Sequence, residues 1–346
     1  MENVKPHVAI VGAGLAGSVL ADLLVKNNCL VTVFDKSRGT GGRLSTCRLG
    51  DYSADLGAPY ILDGSGSATE VDFSNWLLTQ PQIEQWSPRV SDFKGNAIEN
   101  LCFTTASPRQ SALTRSLIAG AEFIPSTRVG YIWPELVEEK AGVIVRDDKG
   151  KGLGQFDAVV VATPALQAVP LLEAIPRFMK KAEAIKPEVS WVHVMVTYSE
   201  SRETPDLILG EHEILSRITK DSAKPGRICP ENSDVWVIEA SPDWSRDNEN
   251  SNPEDVAEHL RKAFMQLFPS HNHVIAERTH RWLYARHSKT DTDFLWDSFS
   301  RIGVCGDWFG QGETKAAWQS ATLLSKALIE HFEQMDMPSD NHLIAV

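Results

Sequence analysis

The segment from residue 8 to residue 35 constrains the fold more than any other part of this 346-residue chain. An apolar run that ends at Val11 is followed by a glycine-rich turn, a helix-like stretch and a second apolar run that ends in Asp35. This order is typical of a β–α–β unit that binds a dinucleotide, with Asp35 placed to accept hydrogen bonds from a ribose hydroxyl. The alternative interpretation is an ordinary β–α–β turn without a ligand.

The turn has the pattern G-x-G-x-x-G, and each of its glycines has a separate physical reason. Gly12 permits a tight turn out of the strand, Gly14 lets a pyrophosphate approach the backbone, and Gly17 lets the helix pack close to the sheet. The free amides at the start of the helix, at Leu15 and Ala16, favour the negative charge of the phosphates. The motif therefore predicts a pyrophosphate site at this helix N-terminus.

The residues that follow Asp35 narrow the kind of dinucleotide, because Gly41, Gly42 and Arg43 come directly after it. This run resembles the G-G-R extension of flavoproteins of the glutathione-reductase and amine-oxidase type. In those proteins the arginine and the glycine backbone support the pyrophosphate of FAD, and a segment at the spacing of residues 55–60 lies against the flavin ring. The resemblance implies FAD contacts at Lys36, Gly42, Arg43, Gly57, Ala58, Pro59 and Tyr60.

Composition limits the class of protein. The length favours two structural units, and we expect an α/β fold with a Rossmann-type FAD-binding domain and a mixed-sheet substrate domain. The net charge of −12 argues against a nucleic-acid or anionic-membrane partner. Five cysteines without a C-x-x-C pair indicate free thiols in a reducing, cytoplasmic compartment and no metal site. We find no apolar run that would span a bilayer, and no room for a signal peptide before the first strand.

Two later runs complete the predicted nucleotide site. Residues 156–164 combine four apolar residues with an exit at Thr163, which indicates a strand buried on both faces. Within residues 302–308, a short apolar run is followed by Gly306–Asp307. In the flavoproteins that the chain resembles, the aspartate of this signature binds the ribityl chain or the pyrophosphate. The spacing also predicts a helix over 314–332. The resemblance implies that its N-terminus points at the flavin, where its dipole would stabilise the anionic reduced ring. Further FAD contacts are predicted at Arg128, Val129, Thr163, Asp307, Ala316 and Ala317.

The remaining chain is expected to form the substrate domain. We predict an FAD-binding domain from residues 1–70, 110–165 and 285–335, a substrate domain from 71–109 and 166–284, and a tail over 336–346. Residues 122–129 fit one strand, and residues 165–184 have helical spacing. A strand over 190–198 places valines on one face and Trp191 and His193 on the other. That aromatic and polar face suits a substrate pocket or a half-buried sheet, and we interpret His193 as a core residue.

Together these segments resemble the renalase family over nearly the whole chain, most specifically at residues 34–43, 280–286 and 305–308. The resemblance implies a p-hydroxybenzoate-hydroxylase-like fold. It also implies oxidation of dihydronicotinamide isomers, NAD(P)H species reduced at the wrong ring carbon, to NAD(P)⁺, with dioxygen reoxidising the flavin to give hydrogen peroxide. Two positions depart from the family. Pro59 stands where glutamine is common, so the family's hydrogen bond at the flavin edge is not implied here. Lys315–Ala316 replaces a common Glu-Gly, so the family's local pocket charge is not implied either.

A single G-x-G-x-x-G leaves no second Rossmann domain for a nicotinamide, which must then enter the substrate pocket and meet the flavin directly. The pocket candidates are His280, Trp282, Tyr284 and Arg286, which share one face of a strand. Hydride transfer to a flavin needs positioning and little acid–base chemistry, so no general base is assigned. An amine oxidase acting on a small amine and a non-catalytic FAD-binding protein stay open as alternatives. The sequence also leaves the oligomeric state open.

Overall fold

The glycine-rich segment forms the centre of a six-stranded sheet. The computed structural model describes residues 5–61, 68–137, 140–198, 204–288, 290–310 and 313–336. The helices are α1 (Leu15–Lys26), α2 (Ala68–Leu78), α3 (Ser111–Leu117), α4 (Ala165–Ala168), α5 (Pro176–Glu183), α6 (Pro242–Asp247), α7 (Pro253–Leu267) and α8 (Glu313–Asp336). The predicted tail, 336–346, lies outside the described residues apart from Asp336.

The strands fall into sheets of two to seven members. Those of the first half are β1 (His7–Val11), β2 (Leu30–Phe34), β3 (Thr46–Leu49), β4 (Tyr52–Asp55), β5 (Ile83–Trp86), β6 (Val90–Ser91), β7 (Ala97–Ile98), β8 (Phe103–Ala106), β9 (Glu122–Ile124), β10 (Val129–Val137), β11 (Lys140–Asp147), β12 (Gly152–Phe156) and β13 (Ala158–Val161). Those of the second half are β14 (Pro187–Tyr198), β15 (Leu207–Leu209), β16 (Leu215–Lys220), β17 (Ser233–Ala240), β18 (Val274–His287), β19 (Leu295–Asp297) and β20 (Ile302–Val304).

The six-stranded sheet has the order β19-β20-β13-β1-β2-β9, and its pairs are parallel except for β19 with β20. Helices α1 and α8 cover one face, where Leu20, Leu24, Leu324 and Leu328 are fully buried. The three-stranded sheet β10-β11-β12 and helices α4 and α5 cover the other face. Because the strands are buried on both faces, they consist almost entirely of apolar residues, as a parallel sheet requires.

The second large sheet has seven strands in the order β18-β14-β17-β16-β15-β6-β7, and β18 is an edge strand. It is mixed, since β6 and β15 are parallel and the other pairs are antiparallel. Helix α7 packs on one face, and the hairpin β3–β4 packs on the other. The second face therefore packs against the hairpin that follows the turn at Gly42–Leu44.

Two local predictions were wrong. The helix expected over 165–184 is divided into α4, a 3₁₀ turn at Val169–Leu171 and α5. Pro170 and Pro176 lack the amide hydrogen that a continuous helix needs, and each begins a new turn instead. The single strand expected over 122–129 is the short strand β9, a turn and the first residue of β10.

The long C-terminal helix was predicted correctly, and α8 extends a few residues beyond the expected 314–332. No helix in the described part of the chain combines the length and the apolar run needed to cross a membrane.

Candidate functional site

The glycine loop joins β1 to α1, and the space around each glycine differs. A Cβ on Gly17 would lie 1.9 Å from the carbonyl oxygen of Gly12, so the close packing of helix and loop excludes any side chain there. Gly12 has φ +113°, and a Cβ there would lie 2.8 Å from the carbonyl oxygen of Ala162. By contrast, no described residue lies within 4 Å of a Cβ placed on Gly14. Gly12 and Gly17 are thus required by the fold, whereas Gly14 faces open space.

Helix α1 presents an uncapped N-terminus to that space. Its N-cap is Gly14, which has no side chain to cap the helix, and no acidic residue lies in the first turn. The first helical hydrogen bond runs from the amide of Ser18 to the carbonyl of Gly14, at 2.9 Å. The amides of Leu15, Ala16 and Gly17 precede this bond, and together with the helix dipole they form a site for an anion.

Asp35 lies beside the loop at the end of β2. Its Oδ2 accepts from the amide of Ala13 and its Oδ1 from the amide of Ser37, each at 2.7 Å. Each carboxylate oxygen retains a second lone-pair direction for a ribose hydroxyl. Asp35 therefore also holds the glycine loop in place, a role that the sequence analysis did not assign to it.

The start of β10 lies next to Asp35, because the amide of Thr127 donates to the Asp35 carbonyl at 2.8 Å. The predicted contacts Lys36, Arg128 and Val129 are therefore at this same edge. Val129 is buried, whereas Lys36 and Arg128 are exposed. Partial desolvation of the amine and then the nearby Arg128 lower the pKa of Lys36.

Arg43 and Asp307, 264 residues apart in the sequence, form a bidentate ion pair. Nη1 of Arg43 lies 2.5 Å from Oδ2 of Asp307, and Nη2 lies 2.6 Å from Oδ1. Each of them was predicted to contact the cofactor separately, and nothing in the sequence indicates that they pair. Arg43 Nη1 also donates to Nε2 of His287 at 2.9 Å, and His287 was not among the predicted site residues.

The segment predicted to lie at the flavin edge packs tightly against Arg43. A Cβ on Gly57 would lie 1.9 Å from the carbonyl oxygen of Arg43, and the Ala58 amide donates to that carbonyl at 2.9 Å. Pro59 and Tyr60 follow and are buried. The Tyr60 ring stacks on Phe103, with ring centroids 4.2 Å apart. Gly57 thus brings the 57–60 segment against Arg43, whereas Gly42 lies against Gly14, with its Cβ position 3.3 Å from the Gly14 Cα.

The other predicted contacts lie around the same loop. The Thr163 carbonyl accepts from Nε1 of Trp308 at 3.1 Å, and its Oγ1 is buried without a hydrogen-bond partner among the described residues. Thr163 is a neighbour of Gly12, because a Cβ on Gly12 would lie 3.4 Å from its methyl carbon. Ala316 and Ala317 are buried in the first turn of α8. Thr163 follows β13, on the side of β1 away from β2 and β9, and Ala317 belongs to the same apolar cluster as Ala13 and Leu15.

Of the four predicted pocket residues, three lie on one face of β18. Its register places His280, Trp282 and Arg286 opposite Val192, Ser190 and Glu188, which are alternate residues of β14. Tyr284 falls within the register shift between Trp282 and Arg286 and has no partner in β14, so its place on the same face stays a prediction.

Trp282 connects this face of β18 to residues 55–60, the segment predicted to lie against the flavin ring. Its Nε1 donates to the carbonyl of Leu56 at 3.0 Å, and its ring meets that of His280 edge to face at 4.4 Å. Burial, followed by the nearby Arg278, lowers the pKa of His280. His280 is therefore a neutral ring at neutral pH.

A charged cluster that the sequence analysis missed lies on the same sheet face. Glu239 receives Nη2 of Arg286 on Oε1 at 3.0 Å, and its Oε2 pairs with Nη2 of Arg217. The Arg217 guanidinium lies over the Tyr60 ring, 5.4 Å from its centroid, and Nη1 is 3.3 Å from the Tyr60 hydroxyl. We call Arg217, Glu239, Arg286 and Tyr60 the arginine cluster, and its three ionised groups carry one net positive charge.

A second missed cluster joins the hairpin β3–β4 to the seven-stranded sheet. Asp55 and Asp221 share Lys224, whose Nζ lies 2.9 Å and 2.6 Å from their carboxylates, and Arg227 also pairs with Asp55. All four side chains are at most 3% exposed. Burial by itself raises the pKa of Asp55, but Lys224 and Arg227 outweigh it and hold that pKa below its ordinary value.

The aromatic face of β14 is core, which agrees with the interpretation of His193 as a core residue. Trp191, Met195 and Trp236 pack against helix α7 in one apolar cluster. His193 is fully buried among them, with Nδ1 3.0 Å from Oγ1 of Thr279. The opposite, valine-rich face is the one that contains the arginine cluster.

Comparison with known proteins supports this architecture. A family model described as an NAD(P)-binding Rossmann-like domain matches residues 10–71, which include the glycine loop, Asp35 and Arg43. The chain is similar in structure to cyclohexylamine oxidase from Brevibacterium oxydans IH-35A, with a TM-score of 0.68 and 12% identity over 95% of this chain and 100% of that one.

Two further solved structures show the same fold. Putrescine oxidase bound to putrescine has a TM-score of 0.65 at 12% identity, over 94% of this chain and 99% of that one. An oxidoreductase from Methanosarcina mazei has a TM-score of 0.62 at 14% identity, over 92% and 100%. The predicted fold class, an α/β protein with a Rossmann-type nucleotide-binding unit and a mixed sheet, is therefore confirmed.

Proposed function

We propose that the protein is an FAD-dependent oxidoreductase. The observation that carries this proposal is the uncapped N-terminus of α1 beside the open space at Gly14, with Asp35 next to it. The buried, unpartnered Oγ1 of Thr163 adds a polar group that a ligand would satisfy. These residues fit a dinucleotide. Arg43 and Asp307, which the structure brings together, match two residues that contact FAD in the flavoproteins that the chain resembles.

The chain's own residues would hold FAD at several points. The amides of Leu15 and Ala16 would bind the pyrophosphate, Asp35 would bind the adenosine ribose, and Lys36, Arg128 and Val129 would contact the adenosine end. Gly57–Tyr60 and the start of α8 would contact the flavin ring. When bound, FAD supplies the hydride acceptor, so the protein needs to orient the donor and exclude water from it. We also propose the domain boundaries predicted from the sequence and a cytoplasmic location.

The substrate we propose is an isomeric dihydronicotinamide nucleotide, as in the renalase family, with dioxygen as the final acceptor and hydrogen peroxide as the product. The arginine cluster supports an anionic substrate, because Arg217 and Arg286 share a single carboxylate. Arg286 is the more exposed of the two, at 45%, and would be accessible to a phosphate or an amide of the substrate. His280 and Trp282 provide a neutral aromatic surface for the nicotinamide.

A small amine is the second candidate, because cyclohexylamine oxidase and putrescine oxidase have this fold. An amine oxidase would need an aromatic face open to a cation. Here Arg217 already covers the Tyr60 ring, and the net positive charge of the cluster opposes a second cation. The charge of the site therefore favours the nucleotide over the amine.

The test is anaerobic mixing of the FAD-loaded protein with three kinds of donor while flavin absorbance is followed. A mixture of dihydronicotinamide isomers made by borohydride reduction of NAD(P)⁺ should bleach the flavin far faster than ordinary NAD(P)H or any primary amine. Rapid bleaching by cyclohexylamine or putrescine, without bleaching by the isomers, would replace the proposed substrate with an amine.

A further inference from the structure

His287 lies where the substrate sheet meets the predicted cofactor site. It is the last residue of β18, and its side chain is 1% exposed. Nε2 lies 2.9 Å from Nη1 of Arg43 and 3.6 Å from Oδ2 of Asp307. The imidazole thus contacts the Arg43–Asp307 ion pair from outside the six-stranded sheet.

The chemistry of the arginine determines the state of this imidazole. A guanidinium has donors and no acceptor, so Nε2 of His287 must accept, and the ring proton must be on Nδ1. Nδ1 is buried and has no hydrogen-bond partner among the described residues. Burial lowers the pKa of His287, and Arg43 lowers it further, while Asp307 and Glu188 act in the opposite direction. The ring is therefore neutral at neutral pH.

Arg43 is consequently held at two points. Asp307 binds both terminal nitrogens, and His287 accepts a second hydrogen bond from Nη1. We propose that His287 is a positioning residue, whose neutral ring fixes Arg43, and through it Asp307, in the orientation that FAD binding requires. This inference rests on the proposed function, because the cofactor is FAD.

Protonation of His287 would remove this support. An imidazolium has an N–H at Nε2 that faces the Arg43 donors, so the hydrogen bond is lost and two positive charges become neighbours. Asp307 on the loop after β20 and Glu188 on β14 are the negative groups near the ring, and Arg43 is the positive one. FAD affinity should therefore fall as the pH falls below the ordinary range of histidine.

Titration of the full-length apoprotein with FAD, followed by flavin fluorescence, tests this in three proteins. His287→Gln keeps an acceptor without a titrating ring, and His287→Leu removes the acceptor. At about pH 8 we expect His287→Leu to bind FAD about tenfold more weakly than wild type, and His287→Gln to stay within about threefold. Towards about pH 5.5 the wild type should lose affinity more steeply than His287→Gln.

Equal losses in His287→Gln and His287→Leu, or the same pH profile in wild type and His287→Gln, would overturn the proposal. A second measurement is independent of FAD. Imidazole ¹⁵N NMR of the histidine-labelled apoprotein, assigned with His287→Gln, should show the Nδ1–H tautomer at neutral pH. A protonated Nε2 would overturn the contact with Arg43. A chain that takes up no FAD would defeat the proposed function, and the NMR spectrum would still decide the state of His287.

Discussion

The two faces of the seven-stranded sheet differ in the packing that stabilises them and in the side chains that they present to a ligand. The face under α7 is rich in aromatic residues, with Trp191 and Trp236 fully buried. The face towards Leu56 and Tyr60 consists of valines interrupted by the arginine cluster. In the sequence, the aromatic face fits either a substrate pocket or a half-buried sheet, and in the structure it is core. The valine face contains the charged groups that we propose as substrate contacts.

Burial explains this difference. A large aromatic side chain stabilises the protein most when it is covered completely, which α7 achieves. A charged side chain is retained on a sheet face only when partners or water satisfy it, and Glu239 satisfies two arginines at once. Charged groups among small aliphatic residues are therefore the better sign of a site in this sheet.

The largest effect of a substitution is expected on the helix-covered face, the face of the seven-stranded sheet that α7 covers. Trp236→Ala removes a ring that packs against Phe264 and Phe268 and whose Nε1 donates to Thr197. The free energy of unfolding should fall by about 3–5 kcal/mol, measured by urea denaturation. FAD affinity, measured where the variant is fully folded, should be unchanged. If Trp236→Ala lost little stability but bound FAD more weakly, the site would lie on the aromatic face, and the account would be contradicted.

The next effect is expected beside the valine face, where buried charges provide the stability. Lys224→Met leaves Asp55 and Asp221 with only Arg227 as a cation, and should cost about 3 kcal/mol in urea denaturation. The matched control is Lys26→Met, since Lys26 pairs with Asp22 on the exposed surface of α1 and should contribute less than about 0.5 kcal/mol. Equal costs for the two variants would contradict the account of this cluster.

Acid should weaken the helix-covered face through His193. Burial lowers the pKa of His193 from 6.5 to about 4, so the folded protein holds the neutral ring. The unfolded chain takes up the proton first, and stability is lost as the pH falls from 6.5 to about 4. The loss should be roughly 2–3 kcal/mol larger in wild type than in His193→Gln. Urea denaturation at several pH values measures this, with the exposed His259→Gln as control; parallel curves would refute it.

The smallest effect concerns kinetics on the valine face. Arg286→Ala should slow flavin reduction by isomeric dihydronicotinamides about tenfold, because a charge-assisted contact to the substrate is lost. The control is Arg281→Ala on the same strand, since Arg281 lies over Trp191 on the helix-covered face. Tyr284→Phe, a change within the register shift, should also slow reduction. Similar rates of flavin reduction for Arg286→Ala and Arg281→Ala would show that the arginine cluster does not contact the substrate.

The predictable parts of the molecule are those encoded by neighbouring residues. The loop with Gly12, Gly14 and Gly17 lies within one short segment, so its strand, turn and helix were evident in the pattern. Hydrophobic periodicity also predicted α8. The same periodicity failed over 165–184, where Pro170 and Pro176 interrupt the hydrogen bonds that a helix needs.

The unpredicted parts are brought together by register and tertiary folding. Glu239, Arg217 and Arg286 come from three strands, and nothing local in any of them indicates that they meet. The same holds for Arg43 with Asp307. Tyr284 shows the limit of a period of two, because alternation alone does not fix the face of a residue that lies within a register shift.

The comparison of the two faces has functional meaning only if FAD lies at the glycine loop, and Gly14 allows a direct test. The backbone at Gly14 is extended, with φ −75°, and the space around its Cβ position is open among the described residues. Gly14→Val should therefore fold with the stability of wild type, whereas Gly17→Val should not, because its side chain would meet the Gly12 carbonyl.

FAD titration of wild type and Gly14→Val, with unfolding curves of both, is the most direct measurement. We predict saturable binding of FAD by wild type, and binding at least about a hundredfold weaker in Gly14→Val, whose side chain would occupy the place of the pyrophosphate. The unfolding curves of the two apoproteins should coincide. Equal FAD affinity in both proteins, or no uptake of FAD by wild type, would contradict the account.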